Sequence, residues 1–395
     1  MTRSNYKPLG NYIKEVNNRD IKMEVDLLLG VSIQKKFIPS IANIIGTDMS
    51  TYKIIKRNQF AFGPVTSRNG DKISIALLDD CNEAIVSQAY TSFEVKDIAE
   101  LLPEYLMMWF RRPEFDRYAR FKSHGSAREI FDWTEMCNTL LPIPSITKQR
   151  EIVKEYNVVV NRIKLNQQLI QKLDETAQAI YKQWFVDFEF PDEDGLPYKS
   201  NGGEMEESEL GEIIPKGWEM SNLEDLSICF DYQRKPLSEI ERKEIRGIYP
   251  YYGAMSIVDY INEYIYDGIY LLFSEDGANI IDEKGHPAMQ YIWGKFWVNN
   301  HSHVIKGKEE FTTEYLYVSL KNVNVSHLVT GAAQPKINQQ NMNSIRLIKP
   351  DINSLEKFNR LIIPLFNHLR VITEMNVQLS LLNDILLSKL ATIEN

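Results

Sequence analysis

Slid against itself by 206 residues, the chain matches its own second half without a gap: Gly125 with Gly331, Ala127 with Ala333, Met136 with Met342, Leu141 with Leu347, Pro144 with Pro350, Ile146 with Ile352, Asn161 with Asn367 and Leu173 with Leu379. Upstream, after a four-residue slip, Glu104, Tyr105 and Leu106 match Glu314, Tyr315 and Leu316. A long-period repeat constrains a fold more than any local motif, because each copy must form its own unit. The chain reads as a diverged duplication, each copy a long mixed region followed by a helical one.

The helical regions carry apolar residues at alternating steps of four and three. In the first copy these are Ile152, Tyr156, Val159, Ile163, Asn166, Ile170, Leu173, Ala177, Ile180 and Trp184. The second gives Phe358, Ile362, Leu365, Leu369, Ile372, Asn376, Leu379, Asn383, Leu386 and Leu390. Such seams predict coiled-coil helices of about 40 residues, or ~60 Å each. Both begin shortly after a proline (Pro144, Pro350), and Pro364 should kink the second. Full antiparallel overlap would pair Ile152 with Leu390, Ile170 with Ile372 and Trp184 with Phe358. That register sets Asn166 opposite Asn376, two amides that can satisfy each other and penalise other registers. Asn383 dissents, since it would face Val159.

The mixed regions show short or alternating apolar runs between glycines and prolines, read as strands at Lys72 to Leu78, Ile85 to Val95, Ile269 to Ser274 and Lys295 to Lys306. Helices are expected at Glu104 to Tyr118 and Thr313 to Asn322. The fold class is therefore mixed α+β: two α/β domains at 1–143 and 218–349, helical spacers at 144–189 and 350–395, and a linker at 190–217. The 44% hydrophobic and 25% charged residues are globular proportions, and no stretch approaches the ~18 uninterrupted apolar residues of a membrane span. The opening MTRSNYKPLG lacks the apolar core of a signal peptide, and Cys81, Cys137 and Cys229 lie too far apart for a disulfide framework or a CxxC metal pair. A reducing cytoplasm is the expected location. The net charge of −9 argues against nucleic acid until it is located. Eleven acids against Lys199 and Lys216 lie between Asp187 and Glu219, leaving a neutral body; the stretch reads as a solvated linker.

Several phrases, in order along the chain, resemble the specificity (S) subunits of type I restriction-modification systems, the HsdS family. They are Lys148-Gln-Arg-Glu-Ile152, Gly211-Glu-Ile-Ile-Pro-Lys-Gly-Trp218, Tyr251-Tyr-Gly-Ala254, Leu271-Leu-Phe-Ser-Glu-Asp-Gly-Ala-Asn279, Gly294-Lys-Phe-Trp-Val-Asn-Asn-His-Ser-His303 and Gly331-Ala-Ala-Gln-Pro-Lys-Ile-Asn338. The resemblance implies a non-catalytic subunit whose two target recognition domains each read half of a split double-stranded DNA site. It also implies helices that space the readers and dock two methyltransferase (M) subunits, to which restriction (R) subunits can add. S-adenosylmethionine, ATP and Mg are then expected on those partners, with no cofactor in this chain.

Base reading needs donors and acceptors that reach groove edges, and loops are the usual carriers. The DNA-binding candidates are Ser67, Arg68, Asn69 and Lys72 in one turn, and Ser126 and Arg128 after Gly125. In the second domain they are Tyr252, His301, Gln334, Lys336 and Asn338. Other chemistry is thinly supplied. His301 and His303 could share a strand face as zinc ligands, but no Cys or third His is near in sequence. Glu94-Val-Lys96 with Asp79 or Asp80 resembles a nuclease pattern without its proline-aspartate strand end. No Walker loop or glycine fingerprint for S-adenosylmethionine or a dinucleotide is present, so no catalytic, cofactor or metal residue is assigned. A self-contained nuclease or methyltransferase would turn over alone; a coiled-coil scaffold would show no sequence-dependent affinity.

Overall fold

A computed structural model describes residues 6–40, 46–67, 69–125, 128–209, 211–277, 279–331 and 334–393. The chain divides into two compact units, Met1–Asn166 with Glu374–Asn395 and Gln167–Thr373. Both long helices cross that division. The central helix runs Ile146–Phe185 and the distal helix Ile352–Lys389. Pro364 lies inside the distal helix without ending it, although a proline there removes one backbone bond to the preceding turn.

In unit 2 a six-stranded sheet has the order Ser227–Cys229, Ser302–Gly307, Tyr266–Ser274, Met289–Val298, Arg246–Tyr252, Ile257–Ile261. All neighbours are antiparallel except Arg246–Tyr252 against Met289–Val298. Unit 1 repeats this order with its two longest strands broken. Ile13–Val16, Thr91–Val95, Gln59–Phe62 and Ile75–Leu77 form one antiparallel sheet. Lys53–Lys56, Glu83–Val86, Leu28–Val31 and Phe37–Pro39 continue it as a second, with the one parallel pair again at the matching place. The break after Lys56 is made at Asn58, which adopts a left-handed φ of 69°, a conformation asparagine tolerates. A small two-stranded pairing also recurs, Tyr6–Pro8 with Leu140–Pro142 and Glu219–Asn222 with Arg346–Lys349.

Several expected elements divide. Glu104 to Tyr118 becomes two helices, Pro103–Arg111 and Pro113–Phe121. Arg112 is forced to extended backbone by the proline that follows it and then starts a new helix. The run Ile85 to Val95 is two strands around a turn closed by Tyr90 N–H to the Ser87 carbonyl (3.0 Å), and Lys295 to Lys306 turns at Asn299 to His301. The largest difference is at 190–217. Its acids are mostly exposed, but Phe188, Phe190, Ile214 and Trp218 are buried in the unit 2 core, and Met205–Glu207 pairs with Ile213–Pro215 as a hairpin. Trp218 Nε1 donates to Asp351 at 2.9 Å. The stretch is part of a folded unit, because four large apolar side chains outweigh a solvated charge run.

Within unit 1, Asn166 Nδ2 donates to Asn376 Oδ1 at 2.8 Å, and Asn166 is 3% exposed. Leu387 and Leu390 join the core that holds Tyr156 and Leu141, so the segments run antiparallel there. Asn383 Oδ1 is buried with no hydrogen-bond partner. Within unit 2, Trp184 packs on Phe358 at 5.7 Å between ring centroids. No helix among the described residues is long and apolar enough to cross a membrane.

Candidate nucleic-acid interface

In each unit the same small hairpin is fixed to the end of the same sheet. In unit 2, Thr330 and Lys336 exchange two backbone hydrogen bonds of 2.8 Å, enclosing Gly331 to Pro335. The hairpin is then tied to the end of strand Tyr266–Ser274 by Ile337 N–H to the Glu275 carbonyl (2.9 Å) and Gly277 N–H to the Pro335 carbonyl (3.3 Å). In unit 1, His124 and Ile130 exchange bonds of 3.1 and 2.9 Å around Gly125, with Phe131 N–H to the Pro64 carbonyl (2.8 Å) and Thr66 N–H to the Glu129 carbonyl (3.0 Å). Every hairpin bond in one unit has its counterpart in the other, with the hairpin residues 206 apart and their strand-end partners 211 apart.

Glycine opens both hairpins for a steric reason. Gly125 and Gly331 have φ of 138° and 86°, where a Cβ is disfavoured. A Cβ would also come within 2.1 Å of the Arg128 carbonyl oxygen in the first and 2.4 Å of the Gln334 carbonyl oxygen in the second. Arg128 and Gln334 are equivalent and exposed, so both units display one long polar side chain from the same backbone position.

The units hold this hairpin by different chemistry. In unit 2 the tie is ionic: Lys336 Nζ lies 2.8 Å from Glu275 Oε1, and Arg234 bridges Glu275 Oε2 (2.6 Å) and Asp231 Oδ2 (3.1 Å). His303, 1% exposed, sets Nδ1 2.5 Å from Asp231 Oδ2 and Nε2 2.9 Å from the Ile337 carbonyl oxygen. Burial pushes both carboxyls up. Lys336 and Arg234 at Glu275, and His303, the Val304 N–H and Arg234 at Asp231, outweigh it and hold both below the usual carboxylate range. The Lys336 ammonium is raised in turn by its bond to Glu275. Asp231, Glu275 and His303 offer ligand atoms within 4.8 Å of one another. Arg234 and Lys336 already supply the positive charge a metal would bring, so we assign no metal to them. In unit 1 the strand-end tie is made by hydroxyls, Thr66 Oγ1 donating toward Ser123 Oγ (2.8 Å) and the Glu129 carbonyl (3.2 Å), while the Glu129 carboxylate pairs with Arg120.

Of the candidate readers, Ser67 and Lys72 are exposed, and Asn69 is anchored through its Nδ2 to the Val65 carbonyl at 3.3 Å. Asn69 and Arg128 line one concavity of about 430 Å³ with Tyr52 and Tyr90. Arg68 and Ser126 lie outside the described residues. In unit 2, Gln334 and Lys336 stand on the hairpin, and the exposed His301 is held by Asp276 at 2.8 Å beside it. His301 precedes the strand and faces solvent whereas His303 is buried, so the pair does not form the shared face expected for zinc. Asn338 caps the helix Gln339–Asn343 by accepting from Asn341 N–H (2.8 Å), and the Tyr252 ring packs edge-on against Phe296 at 5.9 Å. The nuclease-like residues separate: Glu94 pairs with Lys14 (2.9 Å) and Gln59 (2.8 Å), while Lys96 Nζ donates to the Gly10 carbonyl at 2.8 Å.

Comparison with known proteins bears on this arrangement directly. The family model described as type I restriction modification DNA specificity domain matches residues 215–362, which contain the whole unit 2 hairpin and its ionic tie. The MjaIX type I restriction enzyme specificity subunit of Methanocaldococcus jannaschii is 24% identical over 78% of this chain and 72% of its own. The HindI specificity subunit of Haemophilus influenzae is 22% identical over 91% and 92%. Along most of its length the chain is similar to type I restriction-modification specificity subunits. A further specificity subunit of Haemophilus influenzae, described as putative, is 32% identical over a match that spans 34% of each chain. The fold agrees with the crystal structure of the S subunit from M. genitalium, covering 100% of this chain and 99% of that one at a TM-score of 0.56 and 14% identity.

Asp231 and Arg234 were not singled out by sequence reasoning, and Glu275 and Asp276 appeared only inside a family phrase. Their signal was present in Leu271-Leu-Phe-Ser-Glu-Asp-Gly, where two acids directly follow an apolar strand and must find cations or solvent at its end.

Proposed function

We propose that this chain reads a bipartite double-stranded DNA target, one half per unit, and directs methyltransferase and restriction subunits to it. The observation that carries the reading is the glycine hairpin, built twice at the same place on the same sheet order and exposing Arg128 in one unit and Gln334 in the other. Arg pairs with guanine and Gln with adenine in the major groove. Two readers of one architecture and different side chains suit a target whose halves differ in sequence.

The chain itself is non-catalytic in this reading, with S-adenosylmethionine, ATP and Mg on its partners and its place of work in the cytoplasm. The long helices dock two methyltransferase subunits and space the readers through full antiparallel pairing of their seams. The test is methylome sequencing of cells expressing the chain with a cognate methyltransferase. A bipartite modified motif is expected, and a single uninterrupted motif would overturn the two-reader assignment. The purified chain given S-adenosylmethionine, or ATP with magnesium, should show no turnover.

A further inference from the structure

We infer that His303 carries both ring protons and, as an imidazolium, is the positioning residue that fixes the unit 2 hairpin, so that one half of the target alone is read in a pH-dependent way. This rests on the hairpin being a DNA reader, as proposed above.

The argument begins with what the two ring nitrogens face. Nδ1 meets a carboxylate oxygen of Asp231 and Nε2 meets the carbonyl oxygen of Ile337, at 2.5 and 2.9 Å. A carbonyl only accepts, so Nε2 must donate. Asp231 is itself bonded by the Val304 N–H (2.9 Å) and the Arg234 guanidinium (3.1 Å), which favour its ionised, accepting form. Nδ1 must then donate as well. A neutral imidazole has one N–H and can serve only one of these acceptors. The ring is 1% exposed, so water cannot readily serve the other.

The surrounding charges agree. Asp231 comes from the turn Asp231–Gln233, Glu275 and Asp276 follow the strand Tyr266–Ser274, Arg234 follows Asp231, and Lys336 sits on the hairpin. Glu275 Oε2 also lies 3.8 Å from Nδ1 of His303. Three carboxylates, Asp231, Glu275 and Asp276, thus face Arg234, Lys336 and His303, and three positive charges balance them when His303 carries both ring protons. The Cys229 thiol near Asp231 adds no charge, because burial pushes it up to about 12, and burial raises the neighbouring Tyr266 phenol as well.

Among these ties the ring holds the carbonyl of Ile337. Ile337 is the residue whose N–H and C=O are both held from the strand end, by the Glu275 carbonyl and by His303. When His303 loses a proton, Asp231 or the Ile337 carbonyl is left buried without its donor, and the hairpin is freed to move. Among the described residues of unit 1 no buried histidine stands at the matching place. Pro64 stands where unit 2 has Glu275, Thr66 and Ser123 hydroxyls make the tie, His124 is exposed, and the ion pair on the hairpin is Arg120 with Glu129, with no imidazole in it.

The experiment uses the full chain labelled with 15N-histidine, its six histidines being followed by long-range proton–nitrogen spectra from about pH 6 to about pH 9. His303 is assigned by the signal lost in His303→Gln. An imidazolium pattern near neutral pH is expected; a single-proton tautomer there overturns the inference. This wild-type measurement stands if the variant fails to fold. Hydrogen exchange of Thr330, Lys336 and Ile337 is compared with that of His124, Ile130 and Phe131. Protection in the unit 2 set should fall by a factor of about 5 to 30 as His303 deprotonates, or in Lys336→Met or His303→Gln at constant pH, with the unit 1 set unchanged. Equal change in both sets overturns the inference. Methylome sequencing with His303→Gln should then relax one half of the motif only. A loosened hairpin with an unrelaxed motif would overturn its role as reader and leave its tie to His303 in place.

Discussion

Gly331 and Gly125 do at the scale of one residue what no other side chain can, since each combines a left-handed φ with a carbonyl oxygen where a Cβ would sit. Gly331→Ala should strain the hairpin by about 1 to 3 kcal/mol and lower modification of the cognate target without lowering the melting temperature of unit 1. Reconstituted methyltransferase assays with Gly125→Ala in parallel check that each glycine governs its own half. The ionic tie makes a second prediction. Asp231 and Glu275 are held below the ordinary carboxylate range, so their stabilisation is present above the unfolded values and is lost as pH falls through the folded ones. Unit 2 should loosen in acid below about pH 4, and Glu275→Gln should remove part of that dependence. Tryptophan fluorescence against pH, compared between the two proteins, reads it. Gln334, Lys336 and His301 were legible as a group because they sit in polar phrases between apolar runs. His303 was legible only as a histidine: alternation cannot reveal that its neighbours in space are Asp231 and Glu275, far from it in sequence and joined to it by sheet order.

At the scale of elements, the polar intruders in two apolar seams make the sharpest test. Asn376→Leu leaves the Asn166 amide buried without its partner and should cost about 1 to 3 kcal/mol in urea unfolding. The double replacement Asn166→Leu with Asn376→Leu should recover much of that loss, as paired apolar groups need no donor. Asn383→Leu should stabilise by about 1 kcal/mol, because its oxygen is already buried unpaired. The seams were readable because period and polarity are both local. The broken strands and the 190–217 stretch were not, because they depend on Asn58 turning left-handed, Pro113 forbidding helix before it, and Phe188, Phe190 and Trp218 finding a core made elsewhere in the sequence.

For the whole molecule, the duplication predicts separable specificity. Exchanging residues 1–143 for those of a relative should change one half of the methylated motif and preserve the other; a hybrid with both halves altered would count against independent reading. The gapless match at 206 residues made two copies legible from sequence. It could not show that unit 1 is closed from both ends of the numbering, with the Tyr6 hydroxyl donating to the Ala391 carbonyl at 2.9 Å across 385 residues and Leu387 and Leu390 filling the core beside Leu9 and Ile13.

That closure imposes an order in time. A ribosome delivers Tyr6 first, yet the side chains that complete its core come after the whole of Gln167–Thr373 has left the tunnel. Unit 2 is contiguous and can settle while synthesis continues, whereas the earlier-made sheets must wait with Tyr156 and Val159 uncovered, a long loop whose closure is slow. The half of the molecule translated first is the last to be finished, so an interrupted chain yields one settled unit and never a settled pair.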